Sequence, residues 1–327
     1  MSTYDVSVIL VSFNTSKLTH ECLTALYEEL EGFTHEVLVV ENASRDDSAA
    51  MIERDFPQVK LFRSDVNLGF GNANNVALPV AQGRYIVLLN TDAFIAPGGL
   101  RKAIAHMDAT PRCGMGGGKL IGRDGGWQPS ARMFHTVWID FTVLTGLSYR
   151  FPKSKLFSAL DRTWSDQSQP ASVDWVPGAF AIIRPEALAQ TGFFDPAFFL
   201  YYEEVDLCYR LKQAGWEIWY WPDIVITHIG GESSRSLKSL EFSSQAAQVV
   251  KWRMRSTFLY YRKHHGAQAW LAKWMEKSLY TASMWRNKLS STPERKAKAE
   301  RFANLRRLID QAWDDTKGGR VSPPAPW

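Results

Sequence analysis

Apolar and polar positions follow two different periods along the first 110 residues. Apolar runs at residues 6–11 and 85–89 each predict a buried strand, and residues 36–40 and 59–62 predict two further strands between them. Segments with helical periodicity follow at residues 16–30, 46–56, 71–81 and 98–109, with Ser16 as the expected N-cap of the first. Strands that alternate with helices through short links predict βαβ units and a mostly parallel sheet.

The pattern becomes less regular after residue 110. Glycine-rich stretches at residues 114–118 and 122–126 predict turns, and the polar stretch 151–172 has the composition of a loop or lid. Strand character returns at residues 174–184, 216–221 and 224–227, and a helix is expected at 205–214. We therefore expect an α/β domain over residues 1–235, with halves that meet near residue 120, a helical region over 236–316 and a loose tail over 317–327.

Composition places the 327-residue chain among globular proteins, with 45% hydrophobic and 22% charged residues. Its three cysteines, Cys22, Cys113 and Cys208, are too few and too scattered for a disulfide framework or a Cys-rich zinc site, which favours a reducing compartment. The first residues lack the pattern of a signal peptide. The longest charge-free stretch, residues 66–83, is rich in Asn and Gly, so we expect no membrane span there.

Charge is divided unevenly along the chain. Residues 1–234 hold 19 Lys and Arg against 27 Asp and Glu, whereas residues 235–327 hold 19 against 7, a net charge of +12. Six of the 13 tryptophans lie in that basic part, and residues 249–263 mix Lys and Arg with Trp, Phe, Leu and Tyr. Such a mixture suits an anionic membrane surface or nucleic acid. The alternative is a helical region whose charges are simply solvated.

Polar side chains follow the predicted strands at their carboxyl ends, where open α/β sheets bind ligands. Asp92 comes directly after a buried strand, where it either holds a divalent metal on a diphosphate or caps the next turn, and the triplet alone favours neither. His228 ends a short strand before Gly230 and Gly231. A lone histidine is usually structural, but a glycine-rich turn makes a metal ligand or phosphate contact plausible.

Three carboxylates lie together at the start of the predicted helix near residue 205. The helix dipole favours acidic side chains there, and Asp206 has the spacing to pair with Arg210 one turn later. The helix dipole and this ion pair do not explain why two adjacent glutamates, Glu203 and Glu204, follow two tyrosines. A carboxylate crowded by like charge and aromatic rings has a raised pKa, which suits a general base.

The order and spacing of these motifs resemble the inverting GT-A glycosyltransferases of family two, and within it the rhamnosyltransferase-like branch. The resemblance covers about residues 5–235 and leaves the basic C-terminal region outside. The motifs that carry it are residues 8–14, 39–44 with Asp47 and Ser48, 67–75, 88–92, 178–180, 192–195, 203–210 and 228–231.

The resemblance implies a GT-A fold and a role for each matching residue. Asp92 and His228 would hold Mg²⁺ or Mn²⁺ on the donor diphosphate, with Asn90 in place of the first Asp of the family's Asp-x-Asp motif. Glu204 would be the catalytic base, with Glu203 as a rival because the family usually has Asp at this position. The residues expected to contact the donor are Ser12, Asn14, Glu41, Asn67, Gly71, Asn72, Asn90 and Arg210.

The implied reaction is a single displacement that inverts the anomeric carbon. The expected donor is dTDP-L-rhamnose, with a UDP-sugar as the alternative, and the expected acceptor is a cell-envelope saccharide or one carried on a polyprenyl diphosphate. We expect a cytoplasmic protein, peripheral on the inner face of a bacterial membrane, that binds the anionic surface through residues 236–316. The oligomeric state stays open, with a dimer as one option.

Two other classes of protein fit the sequence less well. A nucleotide-binding dehydrogenase would need a glycine-rich turn after the first strand, and residues 12–16 contain no glycine. A nucleic-acid-binding protein that used the basic region would leave Glu203, Glu204 and Asp92 without a role, and its acidic N-terminal part would repel the ligand. We therefore expect no nucleic-acid partner.

Overall fold

The computed structural model describes residues 2–230 and 244–323. Its strands are β1 Tyr4–Ser12, β2 His35–Asn42, β3 Lys60–Ser64, β4 Gly83–Leu89, β5 Ala93–Ile95, β6 Cys113–Ile121, β7 Trp127–Gln128, β8 Ala171–Val173, β9 Phe180–Ile183 and β10 Glu217–His228. Its helices are α1 Ser16–Glu29, α2 Ser48–Asp55, α3 Phe70–Ala77, α4 Gly99–Ala109, α5 Val137–Leu144, α6 Leu147–Arg150, α7 Pro185–Thr191, α8 Glu203–Gln213, α9 Ser244–His265, α10 Gln268–Lys288 and α11 Pro293–Asp315, with a short 3₁₀ turn at Leu78–Val80.

The chain divides into two compact units. The first comprises residues 1–134, 165–196 and 203–234, and the second comprises residues 135–164, 197–202 and 235–327. Two segments that the sequence analysis assigns to the α/β domain, 135–164 and 197–202, therefore cluster with the C-terminal helices. The sequence pattern shows no sign of this, because the partners lie far along the chain, as Leu200 and Ser256, 56 residues apart, and Asp140 and Tyr261, 121 residues apart, illustrate.

One sheet runs through the first unit in the order β3-β2-β1-β4-β9-β6-β10-β5, with β7 beside β6 and β8 beside β10. β1 pairs in parallel with β2 and β4, and β2 pairs in parallel with β3. This confirms the predicted α/β architecture with helices on the sheet. The second half corrects the expectation of a mostly parallel sheet, because β9, β5, β7 and β8 each pair in antiparallel fashion. Antiparallel neighbours can be joined by tight turns, as β6 and β7 are.

The core of the first unit forms around β1, β2 and β4, which are buried on both faces, as the apolar runs of β1 and β4 predict. Leu23 and Leu26 of α1 pack into this core. The predicted N-cap of α1 is wrong, because Thr15 occupies that position and makes no side-chain capping bond. Asp46 instead accepts the Ser16 N–H at 3.0 Å, so a tertiary contact replaces the local cap.

Residues 114–118 form the middle of strand β6, so the turn predicted there is wrong. A Cβ atom at Gly116 would lie 2.0 Å from the Trp221 ring, and one at Gly118 would lie 2.4 Å from the Ile224 carbonyl oxygen. The glycines therefore let large side chains and the bulged backbone of β10 approach β6 closely. The turn predicted at residues 122–126 is confirmed, since Gly122 N–H donates to Gly126 O at 2.7 Å between β6 and β7.

The second unit is helical and has its own core of Met254, Phe258, Tyr280, Ile309 and Ala312, drawn from α9, α10 and α11. Apolar residues of α9 within the segment 249–263, which the sequence pattern relates to a membrane surface, are largely buried, with Leu259, Tyr260 and Tyr261 at 7% exposure or less. Arg255 of the same helix is buried and forms an ion pair with Asp315. That part of the membrane prediction is corrected, because these residues pack within the unit.

Residues 317–323 are not the loose tail that the prolines predict. Gly318 O accepts the Arg262 Nε–H at 3.0 Å, and the Ser322 hydroxyl donates to Ala197 O at 2.8 Å. Gly231 and the last four residues lie outside the described residues. In the part of the chain that is described, no helix combines the length and apolarity that crossing a bilayer requires.

Candidate active site

The candidate site lies in the first unit, where β1, β2 and β4 end. Because these strands run in parallel, their carboxyl ends meet at one edge, and Asn14, Glu41 and Asp92 follow or end them there. The sheet thus brings together residues up to 78 positions apart along the chain.

Two predicted donor contacts hold the ends of β1 and β2 together. Asn14 has a left-handed backbone, with φ 54°, and its Oδ1 accepts the Arg45 N–H at 2.7 Å. Its own N–H donates to the Ser44 hydroxyl at 2.9 Å, and Glu41 Oε1 accepts the Ser44 N–H at 2.7 Å. The Ser12 side chain, also predicted to contact the donor, is 0% exposed and forms a hydrogen bond with Thr19.

The asparagine-rich segment mainly positions neighbouring loops. Asn67 Oδ1 accepts hydrogen bonds from the Asn42 amide at 3.1 Å and from the Gly69 N–H at 2.8 Å. The Asn72 side chain donates to Pro196 O at 3.3 Å and is partly exposed. Gly71, in the first turn of α3, lies beside Phe194 and Glu203. These contacts join the end of β2 to the start of the acidic helix α8.

Arg210, predicted to contact the donor, makes several hydrogen bonds within the fold. Its Nε–H donates to Asp206 at 2.8 Å, which confirms the predicted pair one helical turn apart. Its Nη1–H bonds the carbonyl oxygens of Thr191 and Gly192 at 2.7 and 3.2 Å. The guanidinium therefore secures the end of α7 to α8.

Asp92 and His228 meet, although 136 residues separate them. Asp92 Oδ1 lies 3.5 Å from His228 Nε2, and Ile229 N–H donates to Asp92 O at 2.8 Å. The antiparallel pairing of β5 with β10 brings them together, with His228 opposite Ala93. A Cβ at Gly230 would lie 2.2 Å from Asp92 Oδ2 and 2.8 Å from His228 Nε2, so glycine keeps the space beside both groups open. Asn90, at the end of β4, donates its backbone N–H to Ala179 O.

Gln128 orients the His228 ring, and sequence reasoning missed it. Its amide nitrogen donates to His228 O at 2.9 Å, which directs Oε1 toward Nδ1, also at 2.9 Å. In the neutral imidazole, Nδ1 therefore carries the proton and Nε2 presents its lone pair toward Asp92. No sequence signal marks Gln128, because the β6–β7 hairpin brings it to a residue 100 positions away.

These residues fit a divalent metal bound together with a diphosphate. Asp92 offers a carboxylate and His228 a ring nitrogen whose other nitrogen is held by a hydrogen bond, as metal-binding histidines usually are. Among residues 2–230 and 244–323, no cluster of three or more His, Cys, Asp and Glu side chains could hold a metal alone. Diphosphate oxygens would therefore have to complete the ligand set.

The acidic helix α8 begins at Glu203, directly after two residues with left-handed backbones, Tyr201 with φ 68° and Tyr202 with φ 71°. Such conformations are costly for bulky residues, and they concentrate at functional sites. Glu203 is 3% exposed, whereas Glu204 is only half-buried. Glu204 is therefore the more exposed of the two residues, although its Oε2 atom is buried, as that of Glu203 is.

Burial raises the pKa of the Glu203 carboxyl well above its usual range, and the charge of the adjacent Glu204 raises it further. Glu203 Oε2 has no hydrogen-bond partner among the described residues. The pair thus combines a carboxyl group that favours its neutral form with a neighbour that reaches the surface.

Comparison with known proteins agrees with this architecture. Residues 7–173 match the model of glycosyl transferase family 2. Over 205 residues, 59% of this chain and 66% of the relative, the chain is 28% identical to N-acetylglucosaminyl-diphospho-decaprenol L-rhamnosyltransferase of Mycobacterium tuberculosis. Over 207 residues, 59% of this chain and 69% of the relative, it is 27% identical to the rhamnosyltransferase WbbL of Escherichia coli K12.

Two solved structures share the fold at low sequence identity. One is the mannosyltransferase PcManGT from Pyrobaculum calidifontis in complex with GDP-Man and Mn²⁺, with a TM-score of 0.53 and 17% identity over 95% of this chain and 88% of that one. The other is GalNAc-T7 with UDP, GalNAc and Mn²⁺, with a TM-score of 0.52 and 14% identity over 97% and 58%. The predicted GT-A fold is thereby confirmed. Because the family model covers more than half of the sequence, the chain belongs to glycosyl transferase family 2.

Proposed function

We propose that this protein transfers L-rhamnose from dTDP-L-rhamnose to a hydroxyl group of a saccharide, with inversion at the anomeric carbon. The Asp92–His228 pair is the observation that carries the proposal, because a carboxylate and a ring nitrogen that suit a metal–diphosphate meet at the strand ends, where open α/β sheets bind ligands. The choice of sugar rests on two relatives named as rhamnosyltransferases. A UDP-sugar is the alternative donor.

Glu204 accepts the proton of the acceptor hydroxyl as its oxygen attacks the anomeric carbon. The greater exposure of Glu204 as a residue supports this role over Glu203, although the Oε2 atom of Glu204 is buried as well. Glu203 keeps its carboxyl neutral through burial, and a neutral neighbour leaves a single negative charge at this position. The nucleoside diphosphate leaves from the opposite side of the sugar ring.

Asp92 and His228 bind Mg²⁺ or Mn²⁺, and Gln128 holds the His228 ring in the tautomer that this requires. When bound, such an ion offsets the charge that develops on the departing diphosphate. The Mn²⁺ named with both structural neighbours supports this assignment. Asn14 and Glu41 secure the β2–α2 loop beside the donor.

The acceptor that we propose is a saccharide carried on a polyprenyl diphosphate. The Mycobacterium tuberculosis relative is named for such an acceptor, an N-acetylglucosaminyl-diphospho-decaprenol. A peripheral position at a membrane would follow from this acceptor, because its lipid part stays in the bilayer.

A donor panel tests the proposal. The protein is incubated with dTDP-L-rhamnose, UDP-sugars and GDP-mannose, each with Mn²⁺ or Mg²⁺ and an N-acetylglucosaminyl-diphospho-prenol acceptor. We expect nucleoside diphosphate release and a rhamnosylated lipid only with dTDP-L-rhamnose, and no turnover after dialysis against EDTA. Turnover with a UDP-sugar alone would replace the donor assignment, and full turnover in chelator would disprove the metal assignment.

A further inference from the structure

Helix α10 exposes an apolar stripe that the second unit does not bury. At 100° per residue, its five large exposed side chains fall within about 100° of arc. Trp270, Trp274 and Trp285 expose 51% to 57% of their surface, and Leu289 exposes 87%. Its ends lie roughly 28 Å apart, since 19 residues separate them, and Ser278 and Thr281 occupy the same arc between Trp274 and Trp285. Its members, which we call the α10 face, are Trp270, Leu271, Trp274, Trp285 and Leu289.

Acidic side chains are absent from the surface of this helix. Glu276 is the one acidic residue between Gln268 and Lys288, and it is buried, where it accepts the Tyr280 hydroxyl at 2.5 Å. At the same 100° per residue, Lys277 and Lys273 lie about 20° and 60° beyond the Trp270 edge of the stripe, and they bind Asp310 at 2.8 and 3.3 Å. The α10 face therefore presents aromatic and aliphatic groups with no negative charge.

A basic concavity adjoins the end of the α10 face. It has a volume of about 680 Å³ and lies between the last turn of α10 and the first turns of α11. Between residues 286 and 301 the chain has six basic and two acidic side chains. The Lys288 ammonium lies 5.3 Å from the centroid of the Trp285 ring, so a cation and an indole occupy the same end of the stripe. The basic residues that line the concavity are Arg286, Arg295, Lys298 and Arg301.

We propose that the α10 face docks on an anionic phospholipid bilayer, with the helix parallel to the membrane plane. Trp side chains favour the headgroup level, because the indole has an apolar body and one N–H donor. The basic concavity contacts lipid phosphates. The value of such docking to the enzyme rests on the proposed lipid-linked acceptor, whereas the docking itself does not depend on the identity of the donor or acceptor.

Charge favours a bilayer over a second copy of this chain as the occupant. A two-fold dimer that packed the stripe on itself in antiparallel fashion would place the two basic concavities at opposite ends of the interface, where neither meets a negative charge. An anionic leaflet complements the concavity and the aromatic stripe together.

Vesicle co-sedimentation of the full chain tests the proposal without donor or acceptor. Vesicles of phosphatidylcholine with one quarter phosphatidylglycerol are compared with vesicles of phosphatidylcholine alone. We expect binding to the anionic vesicles that weakens as salt is added, and much weaker binding to the neutral ones. Equal binding to both, or no binding to anionic vesicles at low salt, would overturn the proposal.

Three variants assign the binding to the α10 face. Trp270→Ser with Trp274→Ser should lower vesicle affinity about 100-fold, roughly tenfold for each indole removed. Lys298→Gln with Arg301→Gln should lower it about 25-fold, roughly fivefold for each charge. Tyr149→Ser, which removes another exposed aromatic ring of the same unit, should bind as the unchanged protein does.

Size-exclusion chromatography with light scattering tests the remaining alternative, in which a second copy of the chain covers the α10 face. If the tryptophan variant turns a dimer into a monomer while neither protein binds vesicles, the face belongs to a second copy and the proposal is wrong. All of these positions are exposed, so unchanged melting temperatures should accompany the losses of binding. Because nucleoside diphosphate release is measured separately, failure of the donor assignment and failure of membrane docking remain distinguishable.

Discussion

At the residue scale, the adjacent glutamates at the start of α8 have different environments. Glu203 is buried and its pKa is raised, whereas Glu204 reaches the surface. Adjacent positions on a helix point about 100° apart, so one carboxylate can face the interior while the next faces a substrate. This difference supports separate roles for two residues that look equivalent in the sequence.

Replacing Glu204 with Gln should lower kcat by about 10²–10⁴-fold, because removal of a general base has that cost. The dissociation constant of the nucleotide-sugar should stay nearly unchanged, since the proposed role concerns the acceptor proton. Steady-state kinetics and calorimetric donor titration measure the two quantities. Glu203→Gln is the matched control, and the assignment moves by one residue if that variant loses the activity while Glu204→Gln keeps it.

Glu203 should also affect how folding stability depends on pH. A carboxyl group whose pKa is raised in the folded state binds more protons folded than unfolded, between its ordinary pKa and the raised one. Its contribution to stability is complete below the ordinary pKa and is lost as the pH rises through the raised value. Glu203→Gln removes this pH-dependent loss. The melting temperature of the variant should therefore rise relative to that of the wild type as the pH is raised from 5 to 8. A difference that stays constant across this range would contradict the raised pKa.

Gln128 should contribute to metal binding without touching the ion. Gln128→Met keeps the length of the side chain but removes both hydrogen bonds to His228, and loss of such a supporting contact typically weakens metal binding 10–100-fold. Electron paramagnetic resonance titration with Mn²⁺ and dTDP measures the affinity, and ¹⁵N chemical shifts report the His228 tautomer. Gln311→Met, on the exposed side of α11, is the control and should leave both unchanged.

At the scale of elements, strand β6 depends on glycines that a sequence pattern cannot distinguish from turn glycines. The space beside these glycines is filled by Trp221 and Ile224 of β10 and by Val176. Glycine lowers the strand propensity at these positions, but it lets a large indole pack against the sheet.

Gly116→Ala should destabilise the fold by about 1–3 kcal/mol, because the new methyl group would overlap the buried Trp221 ring. Urea denaturation measures the loss. In a Trp221→Leu background, the same substitution should cost clearly less, since the overlapping ring is gone. Equal costs in the two backgrounds would show that the ring is not the cause.

At the scale of the whole molecule, charge and chemistry are divided between two units. The acidic first unit holds the candidate active site, and the second holds the basic concavity and the α10 face. Docking on an anionic surface would raise the local concentration of enzyme around an acceptor that stays in the membrane.

Added salt should therefore slow transfer to an acceptor in vesicles but have little effect on transfer to an acceptor in solution. With the polyprenyl-linked acceptor in anionic vesicles, the initial rate should fall as NaCl is raised from 0.1 M to 1 M, where the Debye length shrinks from about 10 Å to about 3 Å. With a short-chain acceptor in solution, the rate should change little. Equal salt effects on both rates would remove membrane docking as the reason.

The sequence by itself determined the elements of the first half and most residues of the candidate site. Buried parallel strands need continuous apolar runs, and the polar residues that end them must meet at one edge of the sheet. The sequence predicts Asp92 on this ground, His228 from its place between a strand and a glycine-rich turn, and the two glutamates from their adjacency at a helix start. The pairing of Asp206 with Arg210 was likewise predicted, because it depends only on helical spacing.

Only the tertiary structure decided which polar residues face a ligand and which serve the fold. Ser12 and Arg210 have hydrogen-bonding groups that suit a donor, yet their partners are Thr19 and the end of α7. The contact between Gln128 and His228 depends on the pairing of strands that lie far apart in the chain. Likewise, the burial of the α9 aromatic residues and the exposure of the α10 tryptophans depend on how the helices pack. Local patterns report periodicity and propensity, whereas burial and long-range pairing depend on how the whole chain packs.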